Sequence, residues 1–149
     1  LPEGEDDAVL DNLEPLQADI QKKIETLTRK TEANQHLTLT LALNYGSRQE
    51  IVEAIKRFCR SSSGPGLADA VASLDEKTFE RFLDTAGIPD PDLLIRTSGE
   101  MRLSNFLLWQ CSYSEIYVSD KLWPDFGKDD FISALRDFAE RERRFGAVS

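Results

Sequence analysis

Two arginines, Arg96 and Arg102, flank a short polar turn, Thr97-Ser98-Gly99-Glu100. Arginine is a permanent cation whose planar fork matches the oxygens of carboxylates and phosphates. Ser98 and Ser104 add hydroxyl donors, and Gly99 lets the backbone turn tightly around a ligand. A helix starting near Asn105 would aim free amide groups and its positive dipole at the same place. Such a set can cradle a diphosphate. The residues support a second reading equally: the arginines are structural ion-pair partners of Glu100, Glu115 or Asp92. The spacing fits neither the Walker loop nor the dinucleotide fingerprint.

Something must hold that turn in place. Leu93-Leu94-Ile95 is a short apolar run that ends in Arg96, as expected for a strand buried in a parallel sheet. Upstream, Leu37, Leu39, Leu41 and Leu43 alternate with smaller or polar residues, which predicts a strand. A third strand is expected over "EIYVSD" at 115 to 120. Helices are predicted over 15 to 33, with Leu16, Ile20, Ile24 and Leu27 as its stripe, and after Gly46. In the second helix Ser47 and Glu50 have capping-box spacing, and Ile51, Val52, Ile55, Phe58 and Cys59 form the inward face. A further helix is expected over 75 to 86, capped by Asp75, with Phe79, Phe82 and Leu83 inward. The last runs from about 128 to 145, with Phe131, Ile132, Leu135, Phe138, Ala139 and Phe145 on one face. "SSSGPG" at 61 to 66 and "GIPDPD" read as loops, and Phe106 to Gln110 as a helix start. Strands alternating with helices define an α/β fold with a mainly parallel sheet flanked by helices. Ligands of such folds bind beyond the carboxyl ends of the strands, where Arg96 lies.

The 149 residues read as one domain, with 1 to 14 as a flexible or linker segment. Eighteen basic and 27 acidic side chains leave a net charge of −9, which argues against a nucleic-acid partner. A local arginine pair can still hold an anion, because salt screens distant exposed charge beyond about 8 Å. No apolar run reaches the roughly 18 residues of a membrane-spanning helix. Cys59 and Cys111 have neither metal-type spacing nor a disulfide framework. They are expected as buried thiols in a reducing, cytoplasmic setting, or an organellar one in a plant or alga.

The stretch "PDPDLLIRTSGEMRLSNFLLWQCSYSEIYVSDKLWPDF" resembles the cis-prenyltransferases, the undecaprenyl diphosphate synthase family. The similarity extends back through "LALNYGSRQEIVEAI" and forward to "RERRFG", covering nearly all of the chain beyond the first dozen residues. It implies the family's open α/β fold, a magnesium cofactor (Mg2+) and a homodimer. It implies condensation of isopentenyl diphosphate with an allylic prenyl diphosphate, each new double bond being cis. Peripheral membrane association would follow through the lipid product. By position, Arg96, Arg102 and Ser104 would hold the diphosphate of isopentenyl diphosphate, and Glu115 would help bind magnesium. Arg144 and Gly146 match the family's Arg-x-Gly, which reaches a diphosphate in the neighbouring subunit's site.

The sequence departs from the family in one respect. No "MDGNGRWA"-like motif, the source of the catalytic aspartate, occurs in these residues. The chain therefore reads as the C-terminal portion of a synthase, inactive alone, with no catalytic residue of its own. The alternative is a non-catalytic accessory subunit of a cis-prenyltransferase complex. Asp90 and Asp92 read as turn formers beside prolines, Trp109, Trp123 and Phe126 as core or interface residues, and Arg141 and Arg143 as solvated helix-end charges.

Overall fold

The computed structural model of the chain describes residues 17–34, 36–62 and 66–141. The segment 1 to 14 and the residues Leu16, Arg143 and Phe145 lie outside the described residues. The chain divides into two compact units, one ending at Ile88 and the other beginning at Pro89. The boundary falls within "GIPDPD", where two prolines lack the amide hydrogens needed to continue a helix or ladder.

The first unit is helical. Its elements are α1 (Ala18–Thr31), α2 (Ser47–Ser61), α3 (Leu67–Ala72) and α4 (Glu76–Glu80). Helix α1 carries Asp19 in its first turn and Arg29 and Lys30 in its last, matching the helix dipole. Helix α2 is where sequence periodicity and packing diverge. Ser47, Glu50, Ala54 and Phe58 are buried, whereas Val52, Ile55 and Cys59 are exposed. Glu50 explains the rotation. Its carboxylate accepts hydrogen bonds from the Tyr45 hydroxyl and from the Asp84 amide at 3.0 Å. A charged side chain so satisfied can occupy the packed face. The expected capping box is absent: Gly46 is the cap, and Ser47 is the first helical residue.

The same bond shortens α4. Asp75 caps it, accepting from the Thr78 amide at 2.7 Å, but the helix ends at Glu80 rather than 86. The Asp84 amide is diverted to Glu50, and three-residue turns such as Leu83 N to Glu80 O replace the helical ladder. Phe79 and Leu83 are still buried as expected. Phe82 meets Phe58 edge-on at 5.5 Å.

The alternating segment 37 to 43 forms no strand. Leu37 is 84% exposed. Alternation builds a two-faced ribbon, but a strand also needs a neighbour to receive its hydrogen bonds, and none pairs with this segment among the described residues.

The second unit contains β1 (Leu93–Arg96), β2 (Glu115–Val118), a 3-10 turn (Trp123–Asp125) and α5 (Lys128–Glu140). The strands are parallel, with Leu93 opposite Glu115 and Arg96 opposite Val118. Parallel neighbours need a crossover of about a dozen residues or more, usually a helix. Here the crossover is a run of turns. Ser104, Asn105 and Leu107 have φ of 50°, 63° and 43°, in the left-handed region that a right-handed helix cannot include. The helix expected at 106 to 110 is therefore absent. Helix α5 packs on β2, and its Ala134 is buried. Phe131 and Leu135, expected inward, are exposed. Trp123 is exposed as well, outside the core of this unit, and stacks on Phe126 at 6.3 Å.

Candidate functional site

The polar turn leaves β1 at its carboxyl end and folds back on the chain beyond β2. Ser98 N donates to Lys121 O at 2.7 Å, and Gly99 N to Ser119 O at 2.9 Å. Ser98 and Gly99 both have positive φ, 69° and 65°. A Cβ on Gly99 would come within 3.1 Å of Asp120 Oδ1. Gly99 thus serves close approach to the 119–121 backbone, and these two amides are already engaged rather than presented to a ligand.

The side chains converge instead. Glu100 Oε2 lies 2.5 Å from Arg96 Nη2, and Glu100 Oε1 lies 2.5 Å from Arg102 Nη2. One carboxylate therefore bridges both guanidinium forks. The Arg96 hydrogen bond, reinforced by the charges of Arg102 and Arg96, holds the Glu100 carboxyl below its usual range. Arg96 Nε is buried and has no hydrogen-bond partner among the described residues. Of the two readings of the arginines, the structure shows the ion pairs, with Glu100 as the shared partner. Ser104 is exposed on its left-handed backbone.

Glu115 is not brought to this turn. It pairs with Leu93, three residues before Arg96, which is about 10 Å along the ladder. Side chains alternate along strands, so Glu115 and Arg96 point to opposite faces. Glu115 Oε2 accepts from Arg141 Nη1 at 2.9 Å. Arg141 Nη1 also donates to Ile116 O at 3.0 Å, and Nη2 to Asp137 Oδ2 at 2.5 Å. Glu115 first, then Asp137, raises the Arg141 guanidinium above its ordinary value. Arg141 is therefore no solvated helix-end charge: it ties the end of α5 to the start of β2. The Asp137–Arg141 contact was legible as a four-residue helical spacing. The grip on Glu115 across 26 positions was not.

Magnesium takes hard oxygen ligands and keeps several waters. Glu115 offers such an oxygen. Among the described residues, however, no group of three or more His, Cys, Asp or Glu comes together. The donor chemistry suits one carboxylate of a hydrated, diphosphate-bound ion and does not make a self-sufficient metal centre. Arg144 and Gly146 lie outside the described residues. Cys111 is half-buried, and burial pushes its thiol up, away from reactivity.

A parallel strand pair accompanied by helices, with two arginines converging on one carboxylate at its carboxyl end, defines an α/β protein. Comparison with known proteins specifies the class. The undecaprenyl diphosphate synthase family model matches residues 7–146. An isoprenyl transferase from Thermus thermophilus is 50% identical over 130 residues, covering 86% of this chain and 49% of that protein. The isoprenyl transferase of Thermotoga maritima is 46% identical over 140 residues, covering 94% of this chain and 58% of its own length. Among solved structures, lavandulyl diphosphate synthase from Lavandula x intermedia, in complex with dimethylallyl diphosphate, superimposes with a TM-score of 0.83 at 37% identity. That match covers 94% of this chain and 59% of the plant enzyme. The chain belongs to the undecaprenyl diphosphate synthase family of prenyltransferases. It spans about half the length of the curated relatives it matches.

Proposed function

We propose that this chain supplies the acceptor side of a cis-prenyl chain-elongating enzyme, with Arg96, Arg102 and Ser104 gripping the diphosphate of isopentenyl diphosphate. The observation that carries the reading is the convergence of both guanidinium groups on the single carboxylate of Glu100. A side-chain carboxylate is a small two-oxygen anion, and a phosphoryl group offers the same forks a similar set of oxygens. The buried Nε of Arg96 supplies a further donor.

In the complete protein, the alkene of isopentenyl diphosphate would form a carbon–carbon bond to the first carbon of an allylic prenyl diphosphate. Diphosphate leaves that carbon, and a proton is lost from the acceptor. An alkene is a weak nucleophile, so holding its diphosphate fixed supplies a large share of the rate through positioning. Glu115 would provide one carboxylate oxygen to magnesium, which when bound neutralises charge on diphosphate oxygens. The reading includes a homodimer, with Arg144 and Gly146 reaching toward the second site, and membrane association through the lipid product. Titration calorimetry tests its centre. Isopentenyl diphosphate should bind this chain, and binding should vanish when Arg96 and Arg102 are both replaced by alanine. Equal binding by the double variant would overturn the assignment.

A further inference from the structure

In the first unit, residues 37 to 45 include no Asp, Glu, Lys, Arg, Pro or Gly, although charged residues make up 30% of the chain. Leu37, Leu39 and Leu41 are 84%, 65% and 38% exposed. No residue from 37 to 43 has positive φ, and the left-handed Asn44 (φ 54°) closes the segment before α2 begins. Among the described residues, none exchanges a backbone hydrogen bond with 37 to 43. Single exposed leucines are ordinary. Three of them at two-residue spacing, on backbone whose donors and acceptors lack a ladder, make a template for strand pairing.

The choice of occupant follows from size and charge. Two copies of this chain could pair their segments, but one strand from each gives a two-stranded ribbon, which is marginal in water. Each copy also carries a net charge of −9, which opposes their encounter. A polypeptide that brings strands and an apolar face together escapes the first limit. The Thermus thermophilus isoprenyl transferase is matched over 49% of its length, so about half of that protein lies outside the match. We propose that segment 37–43 is a docking strand for a separate polypeptide drawn from the portion of the family that this chain does not span. Main-chain hydrogen bonds along the segment supply affinity, and the alternating leucines set register and face. The docking strand lies wholly in the first unit and is independent of the diphosphate assignment of Arg96 and Arg102.

The test co-expresses the 149-residue chain with the unmatched portion of the Thermus protein as a separate tagged polypeptide, so that neither has to fold alone. The two should co-purify, and the amides of residues 37 to 43 should exchange with deuterium about tenfold or more slower than in the chain alone. Thr40→Pro removes a ladder donor from the middle of the strand, at a position whose amide has no partner among the described residues. It should abolish co-purification and protection while exchange within α2 stays as it was. Thr40→Val, which keeps the amide, should retain both, and Leu39→Asp should lose both by placing a charge on the covered face. Co-purification with fast exchange at 37 to 43 would overturn the proposal, because the partner then docks elsewhere. So would Thr40→Pro or Leu39→Asp protein that binds as before. Failure of both the Thermus portion and the corresponding portion of the Thermotoga maritima relative to co-purify would overturn it too. Protection of 37 to 43 in the chain alone, growing with its concentration, would make the occupant a second copy and overturn it as well.

Discussion

Glu100 holds Arg96 by a 2.5 Å contact across a turn of four residues, and its other oxygen holds Arg102 at the same distance. The two arginines differ in setting. The Arg96 side chain is 34% exposed and that of Arg102 is 66% exposed. Charge-assisted bonds weaken as water competes for them. Arg96→Ala should therefore weaken inorganic pyrophosphate binding by about one to two decades, the range of a lost charge-assisted interaction. Arg102→Ala should cost less. Calorimetry on both variants decides, and a larger loss at Arg102 would contradict the burial argument.

Glu100 also gives the turn a pH dependence. Its folded-state carboxyl titrates below the usual value, chiefly through the Arg96 hydrogen bond. The stability it contributes is thus fully present above the unfolded-state value of about 4.3 and is lost as pH falls below it through the folded value. Glu100→Gln should flatten that acid-side slope in thermal melts taken from about pH 6 to about pH 3. It should also tighten pyrophosphate binding at neutral pH, by removing a charge that competes for both forks. Unchanged slope and unchanged affinity would mean the carboxylate is a bystander.

Much of this could be read in the sequence, and the failures have physical causes. Strand β1 was legible because an apolar run ending in arginine has few alternatives, and the Asp75 cap because its chemistry is local. The family was legible from the arginine turn and the stretch through Phe126. The segment from Leu37 to Leu43 failed because alternation specifies two faces but not a partner. The helix expected after Asn105 failed because composition does not reveal left-handed backbone at Ser104, Asn105 and Leu107. In α2 Phe58 is inward as expected, but Val52, Ile55 and Cys59 misled: Glu50 took an inward position through bonds to Tyr45 and Asp84, which no period within the helix encodes. Burial and that neighbouring carboxylate push the Tyr45 phenol far above its ordinary value.

That rotation of α2 can be measured. Phe58 is 6% exposed, as expected, and packs on Phe82, while Ile55, expected on the same inward face, is 49% exposed. Phe58→Ala should cost about 3–5 kcal/mol, as for other buried aromatics. Ile55→Gln should stay within about 0.5 kcal/mol, as for surface changes. Denaturant unfolding monitored by circular dichroism would compare them. Similar costs for both would mean that Ile55 is packed along with Phe58, as the apolar stripe predicts.

Turnover by the isolated chain needs more than the arginine turn. Condensation requires an acceptor held in place and a donor whose departing diphosphate is stabilised at the same centre. In the proposed reading the paired arginines meet the first requirement. For the second, Glu115 stands at the opposite end of the strand pair from Arg96 and on its other face. Each missing 1.36 kcal/mol of barrier stabilisation costs about tenfold in rate, so a donor diphosphate that Glu115 does not reach should silence turnover without abolishing acceptor binding. Incubating the 149-residue chain with magnesium, labelled isopentenyl diphosphate and farnesyl diphosphate should therefore yield no labelled lipid above a denatured control. Calorimetry on the same preparation should still detect isopentenyl diphosphate. Labelled product would show that the donor side is built from residues within this chain.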